Sequence, residues 1–128
     1  ELFFQGNYLI ENTISTKGKE PLNNLKKVIE YIHINYSQLI SLQTLSDICF
    51  MSPNYFCHYF KQEIGKTPIH FINEYRIEKA CELLLESSLP ISEISLSVGF
   101  DNFSYFIRKF REYKGVTPKK YRLLRNNS

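Results

Sequence analysis

The sequence predicts an all-α fold of about seven helices, and three observations carry that prediction. Apolar residues recur at three- and four-residue spacing along most of the chain, while the period-two alternation of a half-buried strand is absent. Helix punctuation is frequent: Ser52-Pro53, Thr67-Pro68 and Thr117-Pro118 suit helix starts, and Gly65 and Gly115 suit helix ends. The segment Asn54–Phe71 is also echoed fifty positions later by Ser104–Tyr121. Tyr55-Phe56 recurs as Tyr105-Phe106, Phe60-Lys61 as Phe110-Arg111, and Gly65-Lys66-Thr67-Pro68 as Gly115-Val116-Thr117-Pro118. A fixed-period echo of this kind marks one structural unit used twice.

Taken in order, residues 1–20 read as a linker or tail, with a short apolar start and a polar stretch from Glu11 to Glu20. Phe3-Phe4-Gln5-Gly6 resembles a protease-cleavage scar, and the absence of an initiator Met makes the chain read as part of a longer protein. Pro21 suits the first turn of a helix in which Leu22, Leu25, Val28, Ile29 and Ile32 recur, ending near Tyr36. Ser41 is the expected N-cap of a short helix with Leu42, Leu45 and Ile48 inward. Ser52 caps and Pro53 opens the next helix, which carries Phe56, Phe60 and Ile64 on one stripe and stops at Gly65. Two short helices joined by so tight a turn form a helix-turn-helix candidate.

Thr67-Pro68 begins a longer helix running to about Glu86 without internal Gly or Pro. Its apolar residues cover more than one face, so it must touch more than one partner. Ser87-Ser88-Leu89-Pro90 ends it. Ile91, Ile94 and Val98 then form a short helix closed by Gly99, and Asp101 or Asn102 caps a helix with Phe106, Phe110 and Tyr113 inward. Thr117-Pro118 opens a final basic helix around Tyr121 and Leu124. The predicted organisation is two helix-turn-helix subdomains, 21–66 and 89–128, joined by a long linker helix at 67–88. The second turn carries one residue more than the first, since Leu45 to Phe56 is 11 positions and Ile94 to Phe106 is 12.

The net charge of +3 hides an uneven distribution. Between Arg108 and Arg125 there are eight bases against one acid, so this block carries +7 and the remainder −4. A basic block on an aromatic-rich folded element points to a polyanionic partner. The cysteines are Cys49, Cys57 and Cys81, an odd set without framework spacing, which fits a reducing, cytoplasmic setting. No signal peptide and no apolar run of about 18 residues that could span a bilayer is present.

In order and spacing these residues resemble the C-terminal DNA-binding domain of AraC/XylS-type bacterial transcription regulators, over about residues 22–124. The first unit contributes Leu45-Ser46-Asp47, Met51-Ser52-Pro53-Asn54-Tyr55-Phe56, Phe60-Lys61 and Gly65-Lys66-Thr67-Pro68. The second contributes Ile91-Ser92-Glu93-Ile94, Val98-Gly99-Phe100, Tyr105-Phe106, Phe110-Arg111, Gly115-Val116-Thr117-Pro118 and Tyr121-Arg122. Arg76, Ala80, Leu83 and Leu84 match the family's linker helix. Ser46 and Ser95 stand where the family often has Ala, and Phe50 replaces the Gly common in its first turn. The resemblance implies that the second helix of each unit enters one of two successive major-groove segments, with the long helix setting a spacing of roughly 34 Å. It implies double-stranded operator DNA and RNA polymerase as partners and an effector or dimerisation region N-terminal to this domain; separately, no cofactor or metal is expected.

Transfer by family position puts Asn54, Cys57 and His58 at base edges on the first reader helix. Asn can bond adenine bidentately, His can donate to guanine or phosphate, and Cys57 can touch a thymine methyl. On the second, Phe103, Ser104, Ile107 and Arg108 face outward, with Arg108 suited to guanine. Phe103 and Ile107 can pack on thymine methyls or be partly buried in the subdomain. Phosphate contacts are expected from Ser52, Lys61, Thr67, Arg111, Thr117, Lys119, Lys120 and Arg122. Ser52, Thr67 and Thr117 also read as simple helix caps. An enzyme is disfavoured because His33, His58 and His70 lack carboxylates at catalytic spacing and no phosphate-cradling Gly loop exists. A metal or redox site at Cys49, Cys57 and His58 competes with Cys49 and Cys81 being small core residues.

Overall fold

The computed structural model describes residues 19–126, in which seven helices follow one another and no strand occurs. They are α1 (Lys19–Asn35), α2 (Leu42–Ile48), α3 (Pro53–Ile64), α4 (Pro68–Glu86), α5 (Ile91–Ser97), α6 (Phe103–Lys114) and α7 (Pro118–Asn126). Lys19 and Glu20, expected in the linker, belong to the first turn of α1 because Pro21 is tolerated inside a first turn that needs no N–H from it. The rest of the linker reading, including the scar at residues 3–6, lies outside the described residues.

The described residues divide into two units: one takes α1 with Ile40–Ile72, the other Tyr36–Leu39 with residues 73–126. In the first unit, Leu25, Val28, Ile29 and Ile32 of α1 close on Leu45 of α2 and on Phe56 and Phe60 of α3. Phe71 and Ile72, from the start of α4, complete this core, with the Phe60 ring edge-on to Phe71 at 5.5 Å. In the second unit, Ile77, Ala80, Cys81 and Leu84 of α4 meet Ile94, Val98, Phe100, Phe106 and Phe110. The buried row of α1 thus has the same spacing as the buried row of α4. One long helix serves as the last element of the first unit and the first element of the second.

Small residues allow each short helix to approach its reader closely: Ser46 is 0% exposed and Ser95 1%. The Ser46 hydroxyl donates to the Gln43 carbonyl at 3.0 Å, so the buried oxygen stays satisfied within its own helix. The Met51 N–H donates to Ser46 O and the Phe100 N–H to Ser95 O, so both turns start alike. They end differently, with N-cap Ser52 in the first and N-cap Asn102 in the second, which places the extra residue at Asp101. Phe50 takes a left-handed conformation at φ 56, with its ring 86% exposed. Leu124, expected to help seat α7, is 54% exposed; Tyr121 is the residue that packs on the core.

Candidate nucleic-acid interface

The first reader helix, α3, is punctuated as its sequence requires. Ser52 Oγ accepts the Tyr55 N–H at 3.2 Å, Pro53 fills the first helical position, and Gly65 closes the helix at φ 91. Phe56 and Phe60 are fully buried, and this fixes which face looks outward. On that face Asn54, His58 and Lys61 are exposed and Cys57 is half-buried. Cys49 lies in the core beneath α3, where burial pushes its thiol up to about 11. Burial also raises the Cys81 thiol in the second unit. Among the described residues, no three His, Cys, Asp or Glu side chains come together in a way that could hold a metal ion.

The second reader helix, α6, is capped by Asn102, whose Oδ1 accepts the Tyr105 N–H at 2.9 Å, and closes at Gly115 with φ 80. Phe106 and Phe110 are fully buried, so Ser104, Arg108 and Arg111 stand exposed. Ile107 is half-buried and packs against the unit's core. Phe103 is 45% exposed, one face of its ring stacked toward Phe106 at 6.4 Å. Phe103 and Ile107 are four residues apart and share a row on the helix, beside the row formed by Ser104 and Arg108.

Arg108 rests on a built support. Its guanidinium lies over the Tyr105 ring at 5.2 Å, and Tyr105 Oη accepts a hydrogen bond from Asn73 Nδ2 at 2.8 Å. Asn73 is only 5% exposed, so its amide holds the phenol from inside the unit. Asn73 carries no signal of this role in the sequence, because its partner lies 32 residues away. The equivalent Tyr55 in the first unit is 60% exposed, so the repeated Tyr-Phe pair has two different fates.

The basic block is smaller in effect than its count. Lys109 pairs with Glu112 at 3.2 Å and Lys114 pairs with Glu78, so two of its charges are partnered. Arg125 lies over the Tyr121 ring at 5.4 Å. Arg108, Arg111, Lys119 and Lys120 are exposed and form no ion pair among the described residues. Thr67 Oγ1 accepts the His70 N–H at 3.1 Å and Thr117 Oγ1 accepts the Lys120 N–H at 3.2 Å, so both threonines cap their helices. Thr117, Lys119 and Lys120 line an open hollow of about 310 Å³ on α7 together with Leu123 and Leu124.

Arg122, expected at a phosphate, is engaged with backbone carbonyls. Its Nε donates to Leu84 O at 3.0 Å, and its terminal nitrogens donate to Leu89 O at 2.8 Å and Ser87 O at 3.2 Å. Leu84 O and Ser87 O lie at the end of α4, where carbonyls lack helical partners, and Leu89 O lies in the link that follows, so Arg122 holds both the helix end and the link. Arg76 acts similarly, its Nε and Nη2 donating to Tyr36 O at 2.7 Å and Gln38 O at 2.8 Å.

Two units, each a short helix, a tight turn and a second helix bare on its outward face, define a twin helix-turn-helix domain. A family model described as a helix-turn-helix domain matches residues 45–123. The chain belongs to this family, as a DNA-binding domain of the AraC/XylS type. It is 34% identical over 100 residues to the uncharacterized HTH-type transcriptional regulator YdeC of Bacillus subtilis, covering 78% of this chain and 34% of that protein. The fold is similar to the C-terminal domain of AraT, a response regulator from Geobacillus stearothermophilus, with TM-score 0.74 and 37% identity over 79% of this chain and 84% of that one. It is also similar to the C-terminal domain of the two-component response regulator yesN from Fusobacterium nucleatum, with TM-score 0.73 and 35% identity over 78% of this chain and 98% of that one. The chain spans less than half the length of the curated relatives it matches. No helix among the described residues is long and apolar enough to cross a membrane.

Proposed function

We propose that this chain binds double-stranded DNA in a sequence-specific manner, as the output domain of a bacterial transcription regulator. One observation carries the reading. In each unit two fully buried phenylalanines clamp the second helix, Phe56 and Phe60 in α3 and Phe106 and Phe110 in α6, and leave an outward face of different chemistry. Asn54, Cys57 and His58 meet one set of base edges; Phe103, Ser104, Ile107 and Arg108 meet another. Two different faces suit an asymmetric site of two boxes, one box per reader helix.

Phosphates are held at the helix starts marked by Ser52, Thr67 and Thr117, and by Lys61, Arg111, Lys119 and Lys120. The domain acts by binding and not by catalysis, in the cytoplasm, without a metal or cofactor. Signal reception and dimerisation belong to a region N-terminal to this domain in the longer protein, and RNA polymerase is the partner that reads its position on DNA. Selection of bound sites from random duplex DNA tests the reading. The expected result is two dissimilar short boxes about ten base pairs apart; absence of any enriched sequence would overturn it.

A further inference from the structure

Resting on that DNA-binding reading, we infer that the second reader helix recognises its box through the 5-methyl groups of thymine, using Phe103 and Ile107 as a methyl-binding row. The outward face of α6 is polar apart from these two side chains, which lie four residues apart on one row. Both are anchored from below: the Phe103 ring stacks toward Phe106 and Ile107 leans on the core, so each offers one fixed apolar surface. The Phe103 ring, 45% exposed with one face toward Phe106, keeps apolar surface open to a partner at the start of the helix. The neighbouring row, Ser104 and Arg108, supplies hydrogen bonds to the same base pairs. In the major groove the only apolar group a base edge presents is the thymine methyl.

The matching row of α3 is Pro53 and Cys57, both half-buried and smaller. The first box therefore depends less on methyls than the second.

The test replaces thymines of the selected site, one at a time, by deoxyuridine, which removes the methyl and leaves every hydrogen-bonding group in place. Affinity should fall about fourfold at one or two thymines of the second box, the loss expected when one buried methyl is deleted. Deoxyuridine in the first box should have less effect. The variant Phe103→Ser should bind thymine and uracil forms alike at one of those positions. Ile107→Ser, which leaves no methyl at this position, should do so at the other. Helicity by circular dichroism checks that both variants remain folded. Uniform tolerance of deoxyuridine by a protein that still selects its site, or a second box without thymine, overturns the inference while leaving the DNA-binding reading intact. Failure to select any site sinks the DNA-binding reading itself.

Discussion

Phe50 and Gly99 occupy the same place in the two turns, and both hold left-handed backbone, at φ 56 and φ 107. The sites differ in what surrounds them. A Cβ on Gly99 would collide with Tyr36 O and lie 2.7 Å from Arg76 Nε, whereas the Phe50 side chain is free in solvent. The second turn needs glycine for both reasons, and the first carries only the backbone cost of about 1–2 kcal/mol. Phe50→Gly should therefore raise stability by ~0.5–1 kcal/mol, part of the relief being offset by the entropy of an added glycine. Gly99→Ala should lower it by more than ~2 kcal/mol. Urea melts of the variants measure both; loss of stability in Phe50→Gly would contradict the assignment of strain.

Arg122 separates a structural from a phosphate role. Arg122→Ala removes three donors from carbonyls at the end of α4 and in the link after it, and should cost about 2–3 kcal/mol of stability. The salt dependence of DNA binding by the folded variant should not change. A phosphate contact would show the reverse, normal melting with the salt slope reduced by about one unit.

Arg108 and Lys120 should differ in kind. Arg108→Ala should cost roughly 1–3 kcal/mol on the cognate site and relax one base position. Lys120→Ala should weaken all sequences alike and flatten the salt slope by about one unit. Titrations on cognate and scrambled duplexes at several salt concentrations distinguish them, and unchanged base preference in Arg108→Ala would remove it from the reader.

The support beneath Arg108 has its own signature. Tyr105→Phe keeps the ring but leaves the Asn73 amide short of one acceptor, at a cost of about 1–3 kcal/mol. Base preference should persist, since the guanidinium still has a ring to lie on. Tyr105→Ala removes the platform and should broaden specificity at the Arg108 position. Binding-site selection with the two variants checks the contrast, and equal broadening in both would contradict it.

The three thiols should react unequally. Cys49 and Cys81 are 4% and 5% exposed, and burial raises both thiols, so little thiolate forms near neutral pH. One equivalent of a thiol reagent should be consumed quickly by the native protein, at Cys57, and cognate DNA should slow it. Mass mapping of the labelled peptide tests this; fast labelling of Cys49 or Cys81 would contradict the packing.

What was legible in the sequence is what local chemistry determines. Ser41, Ser52 and the Thr-Pro pairs mark helix starts by short-range capping, Asp101 and Asn102 leave a choice that the structure makes for Asn102, and the Phe56/Phe60 and Phe106/Phe110 rows expose the reader faces by exclusion. What was not legible depends on distant partners. Arg122 reads as one more base of a cluster until its donors meet carbonyls more than thirty residues back. Asn73 reads as an ordinary polar residue of the long helix until Tyr105 is beside it. Lys114 counts toward the basic block although Glu78 partners it.

On the proposed reading, the two reader helices carry different text on one scaffold. Transplanting three of the second face's four side chains onto the first, by Asn54→Ser, Cys57→Ile and His58→Arg together, tests this by selection from random duplex DNA. The first box should shift toward the sequence of the second, at unchanged spacing. Retention of the original first box by the triple variant would contradict it.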